Sequence, residues 1–239
     1  MRSNSADRDF APYNAAQEGR DVRPLARAAI DAARPAGDAA GTGRVAIELG
    51  CGRGIETRHL AESGYAVHAY DVDPSVVPAM AELAAELPVQ HETLDLASIT
   101  ALPATDLILS CATLPFVPRR HFEGLWQAMR DALRPGGVLA VDLFGDRDDW
   151  AGTDGTFLTR AEVETLVSGF DVLSLQERER DGASFQGPKH WHTYQVLVRR
   201  RDRGPVTCGA PSNATPRPTR EVPRDGGQEG RDGGQKGSV

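Results

Sequence analysis

Cysteine is scarce, with only Cys51, Cys111 and Cys208 in 239 residues. An odd, widely spaced set fits neither a disulfide framework nor a zinc-ligand spacing, so no metal is expected, and a reducing, cytoplasmic setting is. Long apolar runs are missing, which excludes a segment able to span a bilayer. The opening residues Met1-Arg2-Ser3-Asn4-Ser5-Ala6-Asp7 lack the apolar core of a signal peptide. An excess of basic charge is missing too. Lys and Arg number 27 against 34 Asp and Glu, a net charge of -7, so neither nucleic acid nor an anionic membrane is an expected partner. What is present is a 40% hydrophobic content, enough for a sizeable core.

The chain is organised around Val45-Ala46-Ile47-Glu48-Leu49-Gly50-Cys51-Gly52-Arg53-Gly54. A short apolar run reads as a buried strand with an acid, Glu48, near its end. Three alternating glycines follow, and then Ile55 to Ser63 reads as a helix closed by Gly64. Strand, glycine turn and helix form the first unit of a nucleotide-binding α/β fold. Glycines let the turn close tightly and let a ligand approach bare backbone, and the helix N-terminus adds free N–H groups. The same turn could also serve strand-to-helix packing alone. A dinucleotide fingerprint is G-x-G-x-x-G, whereas here the spacing is G-x-G-x-G and Ile55 stands where the last glycine would be.

Residues 1–20 are polar and poorly patterned and read as a flexible segment, with Tyr13 an ordinary surface tyrosine. Val22 to Ala33 reads as a helix. Tyr65 to Tyr70 is a second strand ending at Asp71, about 20 residues past the glycine turn, where a carboxylate can accept hydrogen bonds from both hydroxyls of a ribose. An acid at a strand end is not expected to be core. Asp73-Pro74 reads as the cap and first turn of a helix to about Leu87, with Pro78 delaying or kinking its start. A third strand, Pro88 to Leu94, ends at Asp95-Leu96, and His91 on it reads as a satisfied structural histidine. Asp106 to Ser110 is a central fourth strand. Arg119 to Leu133 is a helix with an apolar stripe of Phe122, Leu125, Trp126 and Met129, followed by a fifth strand, Val138 to Phe144. Thr159 and Glu162 make a capping box. Phe170 to about Arg180 and Lys189 to Val198 are the last two strands, joined by a loop from Asp181 to Pro188. From Gly204 to Val239, proline, glycine and charge dominate and Arg-Asp-Gly-Gly-Gln recurs, so this segment is expected to be a disordered tail.

The block Glu48 to Gly54 resembles the first motif of the class I SAM-dependent methyltransferases. Leu133-Arg134-Pro135-Gly136-Gly137 before an apolar strand is a second resemblance, and Asp71 and the order of elements agree. The likeness covers about residues 20 to 201. Lys189-His190-Trp191-His192 and Phe144-Gly145-Asp146-Arg147-Asp148 resemble small stand-alone members near the tellurite-resistance type. The resemblance implies one doubly wound, Rossmann-like α/β domain over 21–203, with helices on both faces of a seven-stranded sheet whose last strand is antiparallel. It implies S-adenosylmethionine as cofactor, held by Glu48, Gly50, Cys51, Gly52, Asp71, Val72, Asp95, Leu96 and Ser110. Asp95 would meet the adenine amino group, and the segment after Ser110 would lie under the reactive methyl.

Methyl transfer is an in-line displacement in which the cofactor carries the chemistry and the protein positions the reactants. No catalytic residue is assigned. His190 and His192 are the proton-transfer candidates by residue type, although a polar strand start accounts for them equally well. Phe116, Arg119, Phe144, Trp150 and Trp191 are candidates to line the acceptor site. No Asn/Asp-Pro-Pro-aromatic motif follows the fourth strand and no recognition domain is inserted, so the expected acceptor is a small molecule: a thiol, oxyanion or metabolite. Two rival readings stand beside it, a SAM-binding regulator without catalysis and a nicotinamide oxidoreductase.

Overall fold

The computed structural model describes residues 9–34 and 43–201, all within one compact unit spanning 1–203. The segment from Gly204 onward, with Cys208, lies outside the described residues. Strands β1 (Arg44–Leu49), β2 (Tyr65–Asp71), β3 (Val89–Thr93), β4 (Thr105–Ser110), β5 (Leu133–Gly145), β7 (Phe170–Ser184) and β8 (Gly187–Arg200) lie in the order β3-β2-β1-β4-β5-β8-β7. An eighth strand of two residues, β6 (Phe157–Leu158), pairs with the end of β5. The neighbours from β3 to β5 are parallel, and β8 runs antiparallel between β5 and β7. The doubly wound sheet with an antiparallel last strand is the architecture the sequence implied.

Alternation along each strand sends side chains to two cores. Ala46, Leu107 and Leu109 pack under α2 (Pro24–Ala33), α3 (Ile55–Glu62) and α4 (Val77–Glu86). Ile47, Leu49 and Ile108 pack on the other face against α5 (Arg119–Ala132) and α6 (Arg160–Leu166). The stripe of Phe122, Leu125, Trp126 and Met129 on α5 is buried as its helical spacing requires, and Thr159 closes the capping box with Glu162.

Three local features depart from the sequence reading, and a fourth, the start of α4, follows an alternative it left open. Within the polar opening segment, Ala11–Ala16 form a helix, α1. Six residues have little helix tendency of their own. Tertiary contacts hold this one: Asn14 Nδ2 donates to Asp73 Oδ2 at 2.7 Å, and Phe10 meets the edge of Phe116 with centroids 5.4 Å apart. Asp73 caps a 3₁₀ turn, Pro74–Val76, and α4 begins only at Val77 with Pro78 in its first turn, the delay that Pro78 allowed. The last hairpin runs further than the loop from Asp181 to Pro188 read from the sequence allowed. Cross-strand pairs continue through Asp181↔His190 to Ser184↔Gly187, leaving Phe185 and Gln186 as the turn. His91 has its Nε2 buried without a partner, so it is not the satisfied histidine of the sequence reading, and burial lowers its pKa and favours the neutral ring.

His192 is wholly buried against Gly145, where an added Cβ would overlap the imidazole. The Arg147 N–H donates to His192 Nδ1 at 3.1 Å, so the ring proton sits on Nε2 and is given to Glu177 Oε1 at 3.0 Å. Hydrogen bonds from His192, Arg147, Arg160 and Tyr194 lower the Glu177 pKa to about 2.

Two expectations follow. Gly145→Ala should destabilise the fold by about 2 kcal/mol or more, because a methyl group forced into packed volume has nowhere to go; urea denaturation measures this. Glu177 is ionised in the fold far below its ordinary 4.5. Its contribution is therefore complete above pH 4.5 and is lost as the pH falls toward 2. Denaturation between pH 5 and 2 should show a shallower loss of stability for Glu177→Gln than for the wild type, and parallel curves would refute this.

Candidate active site

The sheet order reverses between β1 and β4, and a crevice opens there at the carboxyl ends of the strands. It forms a cleft of about 540 Å³, within the range of small-molecule sites. The glycine turn makes its floor. Gly50 and Gly52 take φ of +80° and +49°, and a Cβ on Gly50 would run into the Thr113 side chain. The backbone there is bare because nothing larger fits.

Asp71 stands beside that turn and is 8% exposed. Its Oδ2 accepts the Gly52 N–H at 2.8 Å and its Oδ1 the Asp73 N–H at 2.9 Å. Burial raises its pKa, and those two N–H groups hold the rise in check. A carboxylate with one donor on each oxygen keeps further acceptor capacity, and Asp71 lines the cleft.

Among the residues implied as cofactor ligands, Gly50, Cys51, Gly52, Asp71, Val72, Asp95 and Leu96 come together on the cleft wall. Asp95 also caps the 3₁₀ turn Leu96–Ser98. Glu48 and Ser110 are buried beside the cleft and are not part of its lining. Thr57 Oγ1 donates to Glu48 Oε2 at 2.5 Å, and burial pushes the Glu48 pKa well up. Ser110 Oγ donates to the Leu49 carbonyl at 2.9 Å, tying β4 to β1. Burial also pushes the Cys51 and Cys111 thiols well up, which keeps them unreactive.

The roof comes from segments whose part in the site the sequence reading missed. Phe10, Tyr13, Asn14 and Gln17 of the α1 region line the cleft, together with Arg20, Arg23 and Glu56. Arg20 grips Glu56 with two hydrogen bonds of 2.6 and 2.5 Å, and the Arg23 N–H adds a third at 3.0 Å. Tyr13 is not an ordinary surface tyrosine. It accepts from Arg23 at 3.2 Å and meets the edge of Phe185, at the hairpin tip, with centroids 5.9 Å apart. No periodic pattern marks these residues in the sequence. The only local clue is Pro12 just inside the start of α1.

At the far end Phe116, Phe144, Trp150 and Trp191 line the cleft, while Arg119 does not and instead pairs with Glu162 at 2.8 Å. Neither His190 nor His192 reaches the cleft. They point to the opposite side of β8 from Trp191, as alternation demands. His190 bonds Asp181 at 2.7 Å, and His192 is buried on Glu177. The proton-transfer reading of the two histidines is therefore set aside.

Behind the aromatic wall lies a sealed ion pair. Lys189 and Asp148 are 5% and 3% exposed, with Nζ 2.6 Å from Oδ1. Asp148 also accepts from the Trp150 and His192 N–H groups. The ammonium sits 3.7 Å from the Trp150 ring centroid and 3.6 Å from that of Trp191. Burial lowers the Lys189 pKa, and Asp148 opposes the shift.

Residues 47–139 match a family model described as a methyltransferase domain. Across residues 47–139 the chain carries a methyltransferase domain. It is 37% identical over 105 residues to trans-aconitate 2-methyltransferase of Mycobacterium tuberculosis, a match covering 43% of this chain and 38% of that protein. It is 33% identical over 146 residues to the enzyme of the same name from Pseudomonas paraeruginosa, covering 56% and 52%. The chain thus spans only 38% and 52% of the lengths of these two relatives. The fold is similar to TehB from Haemophilus influenzae, of the tellurite-resistance type, with a TM-score of 0.66, 15% identity and coverage of 81% and 68%. It is also similar to the N-methyltransferase NodS from Bradyrhizobium japonicum in complex with S-adenosylhomocysteine, with a TM-score of 0.55, 17% identity and coverage of 82% and 88%. S-adenosylmethionine is the cofactor of this class, and the residues of the domain fit it. Bare backbone at Gly50 and Gly52 and the carboxylate of Asp71 are suited to its methionine and ribose parts.

Removing the partner of a buried ammonium is costly, so Asp148→Asn should destabilise the domain by about 3 kcal/mol. It should also shift tryptophan emission, because Trp150 and Trp191 both rest on Lys189. An unchanged spectrum and midpoint would mean that the pair does not hold the wall.

Proposed function

We propose that this chain transfers a methyl group from S-adenosylmethionine to a small-molecule acceptor, with Glu48, Gly50, Cys51, Gly52, Asp71, Val72, Asp95, Leu96 and Ser110 forming or bracing the cofactor site. The observation that carries this reading is the Asp71 carboxylate, set at the cleft wall beside a turn of bare glycine backbone. When bound, the cofactor supplies a methyl on a sulfonium sulfur, which passes to an electron pair of the acceptor and leaves S-adenosylhomocysteine. Glu48 and Ser110 act from behind, Glu48 holding α3 through Thr57 and Ser110 holding β4 to β1. Asp95 and Leu96 receive the adenine.

The protein's part is orientation and exclusion of water. Tyr13, Phe185 and α1 cover the cleft. Every cleft-lining residue after Cys111 in the chain is uncharged, so the aromatic wall itself offers no side chain to act as a general base. An acceptor that ionises near neutral pH, such as a thiol, releases its proton to solvent and needs none. The relatives named trans-aconitate 2-methyltransferase support a small acceptor as a class.

Calorimetry with S-adenosylmethionine, S-adenosylhomocysteine and NAD, followed by a turnover screen with labelled S-adenosylmethionine, tests this reading. NAD binding alone would make the chain an oxidoreductase; tight cofactor binding without turnover on any acceptor would make it a regulator. Asp71→Ala should weaken both adenosyl ligands in parallel by roughly 10- to 200-fold, since hydrogen bonds to a charged group contribute about 1.5–3 kcal/mol each. The sequence reading expected folding to be nearly unaffected. Asp71 is instead buried and accepts two backbone N–H groups, so the variant should also lose roughly 1–3 kcal/mol of stability. Wild-type affinity in a folded Asp71→Ala would remove the ribose assignment.

A further inference from the structure

Charge is unevenly divided along the cleft. Asp9, Arg20, Arg23, Arg53, Glu56, Asp71 and Asp95 are its charged lining residues, and none of them belongs to the segments after Cys111 that supply the aromatic wall. Four acids face three bases: Arg20 is paired with Glu56 and Arg53 with Glu18 at 3.5 Å, while Arg23 bonds only the neutral Tyr13 hydroxyl and keeps its Nε buried without a partner. Beyond Cys111 the lining is uncharged and includes Phe116, Phe144, Phe185, Trp150 and Trp191. Four of these rings make one continuous surface. Phe116, Phe144, Trp150 and Trp191 touch in sequence with centroids 5.7–6.5 Å apart.

An aromatic surface of this kind would ordinarily attract a cation to its π faces. Here that capacity is already used. Lys189 occupies the Trp150 and Trp191 faces from behind, and Arg180 stands 5.9 Å from the Trp191 ring. A second positive charge in front of the wall would meet a like charge fixed by the fold. A polycarboxylate would find only Arg23 without a carboxylate partner among the described lining residues, and four acids close by. The family match at residues 47–139 ends before Phe144, so that match does not include most of this wall.

We infer that the acceptor end of the cleft takes a flat aromatic molecule carrying no charge beyond its ionisable nucleophile, and not a polycarboxylate or a cation. This rests on the methyltransferase reading above. Stacking against Trp150 and Trp191 orients the ring plane, and the nucleophilic atom is directed along the wall toward the cofactor end.

The test uses the full chain saturated with S-adenosylhomocysteine, whose binding is first measured by itself. Three probes are then titrated by tryptophan fluorescence: 2-naphthol, trans-aconitate and 2-naphthyltrimethylammonium. The expected result is that 2-naphthol binds at least tenfold more tightly than either of the others. Trp150→Ala and Trp191→Ala should each weaken 2-naphthol by roughly 3- to 30-fold, because aromatic pairs contribute beyond the area they bury. S-adenosylhomocysteine affinity should stay within about twofold, which also reports that the variants are folded. If S-adenosylhomocysteine binds but trans-aconitate or the cation binds as tightly as 2-naphthol, the acceptor inference is wrong and the methyltransferase reading survives. If S-adenosylhomocysteine does not bind, the methyltransferase reading fails and the acceptor inference fails with it. The wild-type comparison decides the matter even where a tryptophan variant does not fold.

Discussion

The site depends on one carboxylate. Asp71, at the end of β2, holds the Gly52 N–H and so fixes the shape of the turn that follows β1. Its other oxygen holds the Asp73 N–H. Asp73 in turn caps the next 3₁₀ turn through Ser75 and receives Asn14 of α1. A single line of hydrogen bonds therefore sets the floor of the cleft and part of its roof. Each link is short and buried or partly buried, where an unmade hydrogen bond costs more than a made one contributes. This is why a six-residue helix can persist with little tendency of its own.

Glu48 and Glu56 show how position divides identical side chains. Both are 2% exposed, yet burial drives the Glu48 pKa well up while Glu56 is lowered. Burial presses on Glu56 as well, but the Arg20 guanidinium and the Arg23 N–H outweigh it. Among the described residues, Glu48 has a threonine hydroxyl as its side-chain hydrogen-bond partner. The ionised Glu56 clamps the chain before α2 to the first turn of α3, where a negative charge also suits the helix dipole. Burial of Glu48 under the glycine turn disfavours its charged form.

The parts of this molecule legible in its sequence are those that local chemistry dictates. The glycine turn, the strand-end acid Asp71, the stripe on α5 and the Thr159 capping box each need only neighbours within a few residues. The illegible parts are built by contacts across long stretches of chain. α1 depends on a partner 59 residues away, and the wall depends on Lys189 reaching Asp148 across 41. The Asp181-Gly182 pair signals a turn, but it lies inside a hairpin whose strands continue to pair past it, so tertiary pairing overrides the local preference. His190 and His192 illustrate the reverse case. Residue type suggested chemistry, yet alternation on β8 turned both away from the cleft and brought Trp191 into it.

A buried ion pair is by itself weak evidence for stability, since apolar residues of similar volume often serve as well. The placement of Lys189 and Asp148 asks for a different account. The carboxylate takes the backbone N–H groups of Trp150 and His192, which joins the loop after β5 to strand β8. The ammonium lies against the two indoles that those segments carry. Both rings are thus held from behind by the same charge, and a ring so held cannot turn without uncovering a buried ammonium. The pair contributes orientation and electrostatic sign to a surface that has no charged group of its own. The half of the cleft at the glycine turn is shaped by backbone and hydrogen bonds, and the other half by rings fixed in place.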